Sequence, residues 1–202
     1  MNAAHCCTFL RILVSPLFFF VYVGHDALGI SAKTLPFLLL LLLAILELSD
    51  ALDGYIARRY NQVTDFGKIF DPMADSISRI SVFLTFTVEP VHLPLAFVFA
   101  FLYRDSIVST LRTVCAFRGL ALAARPSGKL KAVIQAVAAF TISLLMIPHA
   151  FGELSSSSLQ SISYYIAAIA VAHSLVSGID YIWANRPYVA QLLSNSSIEK
   201  KN

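Results

Sequence analysis

The chain has 202 residues, 57% of them hydrophobic and only 13% charged, with a mean hydropathy of +0.73. Soluble domains carry about 25% charged residues, so this composition excludes a soluble globular protein and indicates an integral membrane protein. The formal charge of +3 comes without a basic stripe interleaved with stacking aromatics, which argues against nucleic acid as a partner.

A membrane span needs about 20 residues, and hydropathy divides the chain into six candidates: Thr8 to Gly24, Leu35 to Arg58, Gly67 to Val88, Leu93 to Phe117, Lys131 to His149 and Leu159 to Ala184. The expected fold is an all-α integral membrane protein, a six-transmembrane-helix bundle forming one domain over residues 1–187, with a short cytoplasmic tail at 188–202. The first span resembles a signal peptide in its apolar core after Arg11. Pro16 and the residues after it offer no small-residue cleavage site, so it is read as a retained membrane helix.

Positive charge collects around alternate connections. Arg58, Arg59 and Lys68 flank the second, Arg118, Arg125, Lys129 and Lys131 the fourth, and Arg186, Lys200 and Lys201 lie in the tail, whereas the first, third and fifth offer only Lys33. The positive-inside rule then puts both termini and the even-numbered connections in the cytoplasm. Cys6, Cys7 and Cys115 have no metal-ligand spacing and are read as reduced thiols. Ser155 to Ser158 reads as a loop, the scattered histidines as loop or packing residues, and Phe18 to Phe20 with Tyr181 and Trp183 as lipid-facing aromatics.

Residues 50 to 75 interrupt this apolar pattern with Asp50-x-x-Asp53-Gly54-x-x-Ala57-Arg58, then eight residues, then Gly67-x-x-x-Asp71-x-x-x-Asp75. At about 100° per residue, Asp50, Gly54 and Ala57 share one helix face, flanked by Asp53 and Arg58. Asp71 and Asp75 are an i, i+4 pair on the next helix, which the short connection makes an antiparallel neighbour of the one before. Four carboxylates in one cleft repel one another unless cations lie between them, and two divalent ions would balance them. All-oxygen ligation selects hard ions such as Mg²⁺ or Mn²⁺. Gly54 and Ala57 leave a shallow groove, and Arg58 suits a phosphate oxygen. A single Asp near a helix end is more often a cap or a solvated group; the whole set describes a site for a nucleotide diphosphate bridged by metal ions.

This pattern resembles the signature D-x2-D-G-x2-A-R-x8-G-x3-D-x3-D of the CDP-alcohol phosphotransferases, without a departure. The resemblance implies a six-helix membrane enzyme, a homodimer, in which Asp50, Asp53, Asp71 and Asp75 hold two metal ions against the diphosphate of a CDP-linked donor. It further implies that Gly54, Ala57, Arg58, Thr64 and Gly67 line the CMP pocket of CDP-diacylglycerol, and that Asp75 takes the proton from the acceptor hydroxyl. Metal ions would neutralise the leaving diphosphate while the acyl chains stay in the membrane lipid.

The acceptor is read from a second cluster: Arg104-Asp105, Arg112, Arg118, Arg125 and Gly128-Lys129-Leu130-Lys131. Arg104, Arg112, Arg118, Lys129 and Lys131 are candidates to bind an acceptor phosphate, with enforcement of topology as the plain alternative. This stretch, the opening Thr8-Phe9-Leu10-Arg11 with Pro16 and the late Ser177-Gly178-Ile179-Asp180-Tyr181 are similar to the corresponding regions of the phosphatidylglycerophosphate synthases within that family. That similarity implies sn-glycerol 3-phosphate as acceptor and a bacterial cytoplasmic membrane as location. Inositol phosphate, serine or phosphatidylglycerol are the alternative acceptors, and a transporter or a non-catalytic scaffold the distant alternative. The chain departs from the subgroup at Ser76, where Lys is usual, at Ala132, where Thr is common, and at His5, which replaces an Asn. Glu47, one turn before Asp50, has no role in this scheme.

Overall fold

The structure, a computed structural model, describes residues 3–59, 65–117, 125–188 and 190, with side chains over 8–52, 70–115, 117, 125–188 and 190. Among the described residues the chain is all helical. The helices are α1 (Ala3–Gly24), α2 (Leu35–Arg59), α3 (Asp65–Thr85), α4 (Leu95–Phe117), α5 (Pro126–Ala150) and α6 (Ser156–Ala184). The expected spans agree with these to within a few residues. The starts of α1 and α5 differ most, each by five residues: α1 begins at Ala3 rather than Thr8, and α5 at Pro126 rather than Lys131, where Arg125 is extended and the fixed φ of Pro126 suits a first helical turn.

Local chemistry sets the other boundaries. Ser155, read from sequence as part of a loop, is the N-cap of α6, its Oγ accepting from the Ser158 amide at 3.2 Å, so the serine tract opens the helix. Gly152 takes φ +81° just past the end of α5, a left-handed conformation that disfavours any side chain. Inside α1, Pro16 cannot donate to the Ile12 carbonyl, and the Ser15 hydroxyl lies 3.4 Å from that oxygen and 2.8 Å from the Arg11 carbonyl.

Leu35–Leu52 in α2, all of α5 and all of α6 are long and apolar enough to cross a membrane by length and composition; Thr8–Gly24 in α1 is a shorter apolar stretch. α3 and α4 miss that measure for a chemical reason. Asp71, Asp75 and Arg79 interrupt the first, and Arg104, Asp105 and Arg112 the second. The outer face of the bundle is as apolar as its centre: Leu13 is 70% exposed, Phe20 64% and Ile179 67%. Such a surface calls for lipid.

The core is built from Phe18, Leu39, Phe83, Phe86, Phe101, Ile142 and Leu159, all buried, with Phe83 and Phe101 in a tilted contact at 4.7 Å and Phe18 edge-on to Phe86 at 5.9 Å. Two aromatics expected at the lipid face, Phe18 and Tyr181, are buried instead, because each points along the inner side of its helix; Phe20 and Trp183 do face outward. α1 packs against α2 and α3, α5 against α2 and α6, and α4 against α3 and α6. The direct α2–α3 pairing expected from the short connection is not one of these main contacts among the described residues. Charged side chains still join the two helices: Arg79 of α3 reaches Asp50 and Glu47 of α2, and Arg11 of α1 lies between Asp50 and Asp75, so cations separate the acidic faces.

Candidate active site

Chain direction alternates through the bundle, so the starts of α1, α3 and α5 and the ends of α2, α4 and α6 meet at one end. The charged residues within the helices concentrate there. An Arg in an apolar helix must find an anion, and Arg11, 1% exposed, does so: its Nη1 lies 2.8 Å from Asp50 Oδ1 and also contacts Asp75. Thr8, three residues earlier on the same face of α1, donates to Asp71 Oδ1 at 2.9 Å. One face of α1 therefore reaches carboxylates of both α2 and α3.

Arg79, one turn beyond Asp75, completes the cluster. Its Nη1 donates to the Ala132 carbonyl of α5 at 2.5 Å, and its Nη2 lies 3.5 Å from Asp50 Oδ2 and 3.7 Å from Glu47 Oε2. Asp50 thus stands between two guanidinium groups, one on each oxygen. Glu47, left without a role by the sequence, belongs to this network as a second anion beside Arg79.

The other signature positions are reached only in part. Asp53, Gly54, Ala57 and Arg58 lie in the last turns of α2 and Gly67 in the first of α3, but beyond this helical backbone they fall outside the described residues, and Thr64 and Arg118 lie outside them altogether. Among the described residues no three acidic, histidine or cysteine side chains form a ready ion cage. The donors nonetheless fit a hard divalent ion in kind and in convergence: Asp50 and Asp75, from different helices, meet on one cationic nitrogen, which marks a position where a cation is shared.

Beside this cluster, on the adjoining face of α3, lies a cavity of about 160 Å³, bordered by Asp75, Arg79, Arg104, Asp105, Arg112 and Lys131. Lys131 donates to both oxygens of Asp105 at 2.6 and 2.8 Å, Arg104 Nη1 to Oδ1 at 3.0 Å and Ser76 Oγ to Oδ2 at 3.2 Å. Arg104 also donates to Ser177 of α6 at 2.8 Å. Arg112 is exposed at the mouth, with no ion pair among the described residues, and Lys129 is exposed at the start of α5. Arg125 forms a two-point pair with Asp180 at 2.9 and 3.0 Å, reinforced by Ser127 at 2.5 Å, and closes α5 onto α6. Of the proposed acceptor-binding residues, the cavity brings together Arg104, Arg112 and Lys131.

A family model described as CDP-alcohol phosphatidyltransferase matches residues 1–186. The chain belongs to that family. Among members with curated names, the CDP-diacylglycerol--glycerol-3-phosphate 3-phosphatidyltransferase of Bacillus subtilis is 30% identical over 190 residues, covering 91% of this chain and 95% of that protein. The Rickettsia typhi protein of the same name is 30% identical over 191 residues, 93% of this chain and 98% of its own length. A Treponema pallidum protein of that name is 30% identical over 146 residues, 70% and 67% of the two chains.

As a CDP-alcohol phosphatidyltransferase, the chain carries its family signature from the end of α2 into α3, beside the Arg11 contact. Sequence reasoning quoted three residues at this end, Arg11, Asp105 and Gly178, within similar stretches but gave none of them a role in the site. The available signal was the same each time. A charge or a glycine inside an apolar helix marks a buried partner or a close approach.

Proposed function

We propose that this family member transfers the phosphatidyl group of CDP-diacylglycerol to sn-glycerol 3-phosphate, giving phosphatidylglycerophosphate and CMP. The observation that carries the reading is the position of Asp75, which both meets Asp50 on Arg11 and borders the cation-lined cavity. A base must touch the acceptor while the donor's diphosphate lies on its other side, and Asp75 is the described carboxylate with access to both. The names of the B. subtilis and R. typhi relatives, similar over nearly their full lengths, supply the donor and the acceptor.

In this mechanism Asp50, Asp53, Asp71 and Asp75 would hold two Mg²⁺ or Mn²⁺ ions, which would neutralise charge on the diphosphate. Gly54, Ala57, Arg58, Thr64 and Gly67 line the CMP side. The acceptor's phosphate is held by Arg112, Lys131 and Arg104, with Lys129 and Arg118 flanking. Asp75 takes the proton of the acceptor hydroxyl, its oxygen attacks the β-phosphorus, and the bond to the bridging oxygen breaks as CMP leaves. Residues 1–187 form the catalytic domain, with all six helices spanning the membrane and 188–202 as a tail. The charged end, both termini and the tail face the cytoplasm of a bacterial inner membrane, and the enzyme works as a homodimer. The apolar outer face and the positive-inside pattern support this topology.

The test is purified protein in mixed micelles with CDP-diacylglycerol, Mg²⁺ or Mn²⁺ and a panel of acceptors, with CMP and the lipid product quantified. Turnover with glycerol 3-phosphate is expected. Turnover with inositol phosphate, serine or phosphatidylglycerol alone would replace the acceptor, and binding without CMP release would remove the enzyme reading.

A further inference from the structure

Asp105 sits 7% exposed in α4 and collects four hydrogen bonds from three helices: two from Lys131, one from Arg104 and one from Ser76. A carboxylate offers about four acceptor positions, so these bonds saturate it. Arg104 is fixed at its far end by Ser177 Oγ at 2.8 Å, and along its stem by Gly178, where an added Cβ would stand 2.9 Å from Arg104 Cγ. Every member of the cluster therefore has one position. Its charge is not balanced, because two cations, Lys131 8% and Arg104 10% exposed, share a single anion. A surplus cation withdrawn from water needs a further anion.

That surplus faces the cavity which Asp75 and Arg112 also border. Lys131 has three donors and spends two on Asp105, leaving one for another acceptor. Were Asp105 uncharged, Lys131 and Arg104 would repel each other, and Asp75 would be the next carboxylate on the same cavity wall. Asp105 thus draws the buried cations away from the carboxylate that the reaction needs.

On the reading that this cavity takes a phosphorylated acceptor, we infer that Asp105 is a positioning and specificity residue of the acceptor site. It assembles Lys131 and Arg104 into one wall with a single surplus charge. A phosphomonoester dianion is completed there by Arg112 at the mouth, while a neutral alcohol gains nothing from it, and Asp75 is kept open to the acceptor hydroxyl.

The experiment compares wild type with Asp105→Asn, Asp105→Glu and Gly178→Ala in mixed micelles. It reads the KM of glycerol 3-phosphate, the KM of CDP-diacylglycerol, kcat, and the rise in melting temperature that inorganic phosphate produces. Asp105→Asn is expected to raise the glycerol 3-phosphate KM at least about tenfold, to lower kcat and to leave the donor KM in place. It also loses the shift given by phosphate. Asp105→Glu recovers part of both, and Gly178→Ala, which displaces Arg104 alone, raises the acceptor KM by a smaller factor. An unchanged acceptor KM and an unchanged phosphate shift in Asp105→Asn overturn the inference, as do equal changes in both KM values. Should Asp105→Asn fail to fold, Asp105→Glu and Gly178→Ala decide by the same criteria. If wild type releases no CMP with any phosphorylated acceptor, the proposed function fails, whereas loss of the phosphate shift in Asp105→Asn still reports on Asp105.

Discussion

The two charged centres of this bundle lie on adjacent faces of α3 and are built with opposite sign. On one side the buried Arg11 of α1 is shared by carboxylates of α2 and α3, with Arg79 as a second cation among four described acids. On the other a single buried carboxylate, Asp105, is shared by cations of α4 and α5. Burial of charge near hydrocarbon costs several kcal/mol per ion unless each is paired and hydrogen-bonded, so each minority charge is the one that holds its centre together. The majority charge is what remains for a ligand: carboxylates for hard cations on the first side, guanidinium and ammonium groups for a phosphate on the second. Asp75 is the described carboxylate that borders both, which is why a reaction between a metal-bound diphosphate and a phosphorylated alcohol suits this end of the molecule.

Loss of the shared residue has the largest expected effect. Asp75→Ala should reduce CMP release by about 10³-fold, the usual scale for removing a general base, with the protein still eluting as a folded species in detergent. Asp71→Ala should behave in the same way. Activity retained within a few-fold in Asp75→Ala would separate the two centres functionally and move the base elsewhere.

Next in size is removal of a minority charge. Arg11→Met removes the cation that Asp50 and Asp75 share, leaving Asp50 with Arg79 alone, and should cost about 3–5 kcal/mol of stability in metal-free detergent, read as a lower unfolding temperature. Because the vacated position suits a divalent ion, Mg²⁺ or Mn²⁺ should restore more of the unfolding temperature in Arg11→Met than it adds to wild type. An equal gain in both proteins would show that ions bind away from the Arg11 contact.

How much of this was legible in the sequence differs between the two sides. The spacing of Asp50, Asp53, Asp71 and Asp75 is local, so helical periodicity placed the acids on two neighbouring elements, and hydropathy located all six helices to within a few residues. The partner of those acids was not local. Arg11 lies 39 residues from Asp50, and no periodicity links them; only the cost of an unpaired Arg in an apolar helix pointed to a contact. Among the described residues α2 and α3 meet through charged side chains, Arg79 on Asp50 and Glu47 and Arg11 between Asp50 and Asp75, and periodicity does not show which cations stand between two acidic faces. On the second side the basic residues were visible as a cluster, but counting charge could not show which of them Asp105 had already engaged, because Lys131 lies 26 residues away on another helix. Gly178 became meaningful only once Arg104 was seen to pass over it.

The smaller effects separate the cations of the second centre by how firmly each is held. Arg112 has no ion pair among the described residues and stands at the cavity mouth, so its charge is the most available to an incoming phosphate. Arg112→Ala should raise the KM of glycerol 3-phosphate by about tenfold and leave the donor KM unchanged, with the difference from wild type shrinking as salt screens the exposed charge. Ser76, by contrast, gives Asp105 one neutral hydrogen bond of 3.2 Å among four. Its removal in Ser76→Ala should cost about 1 kcal/mol or less and change the acceptor KM by less than about threefold, because Lys131 and Arg104 still hold the carboxylate. A Ser76→Ala effect as large as that of Arg112→Ala would mean that Ser76, which lines the cavity with Asp75, touches the acceptor itself rather than acting through Asp105.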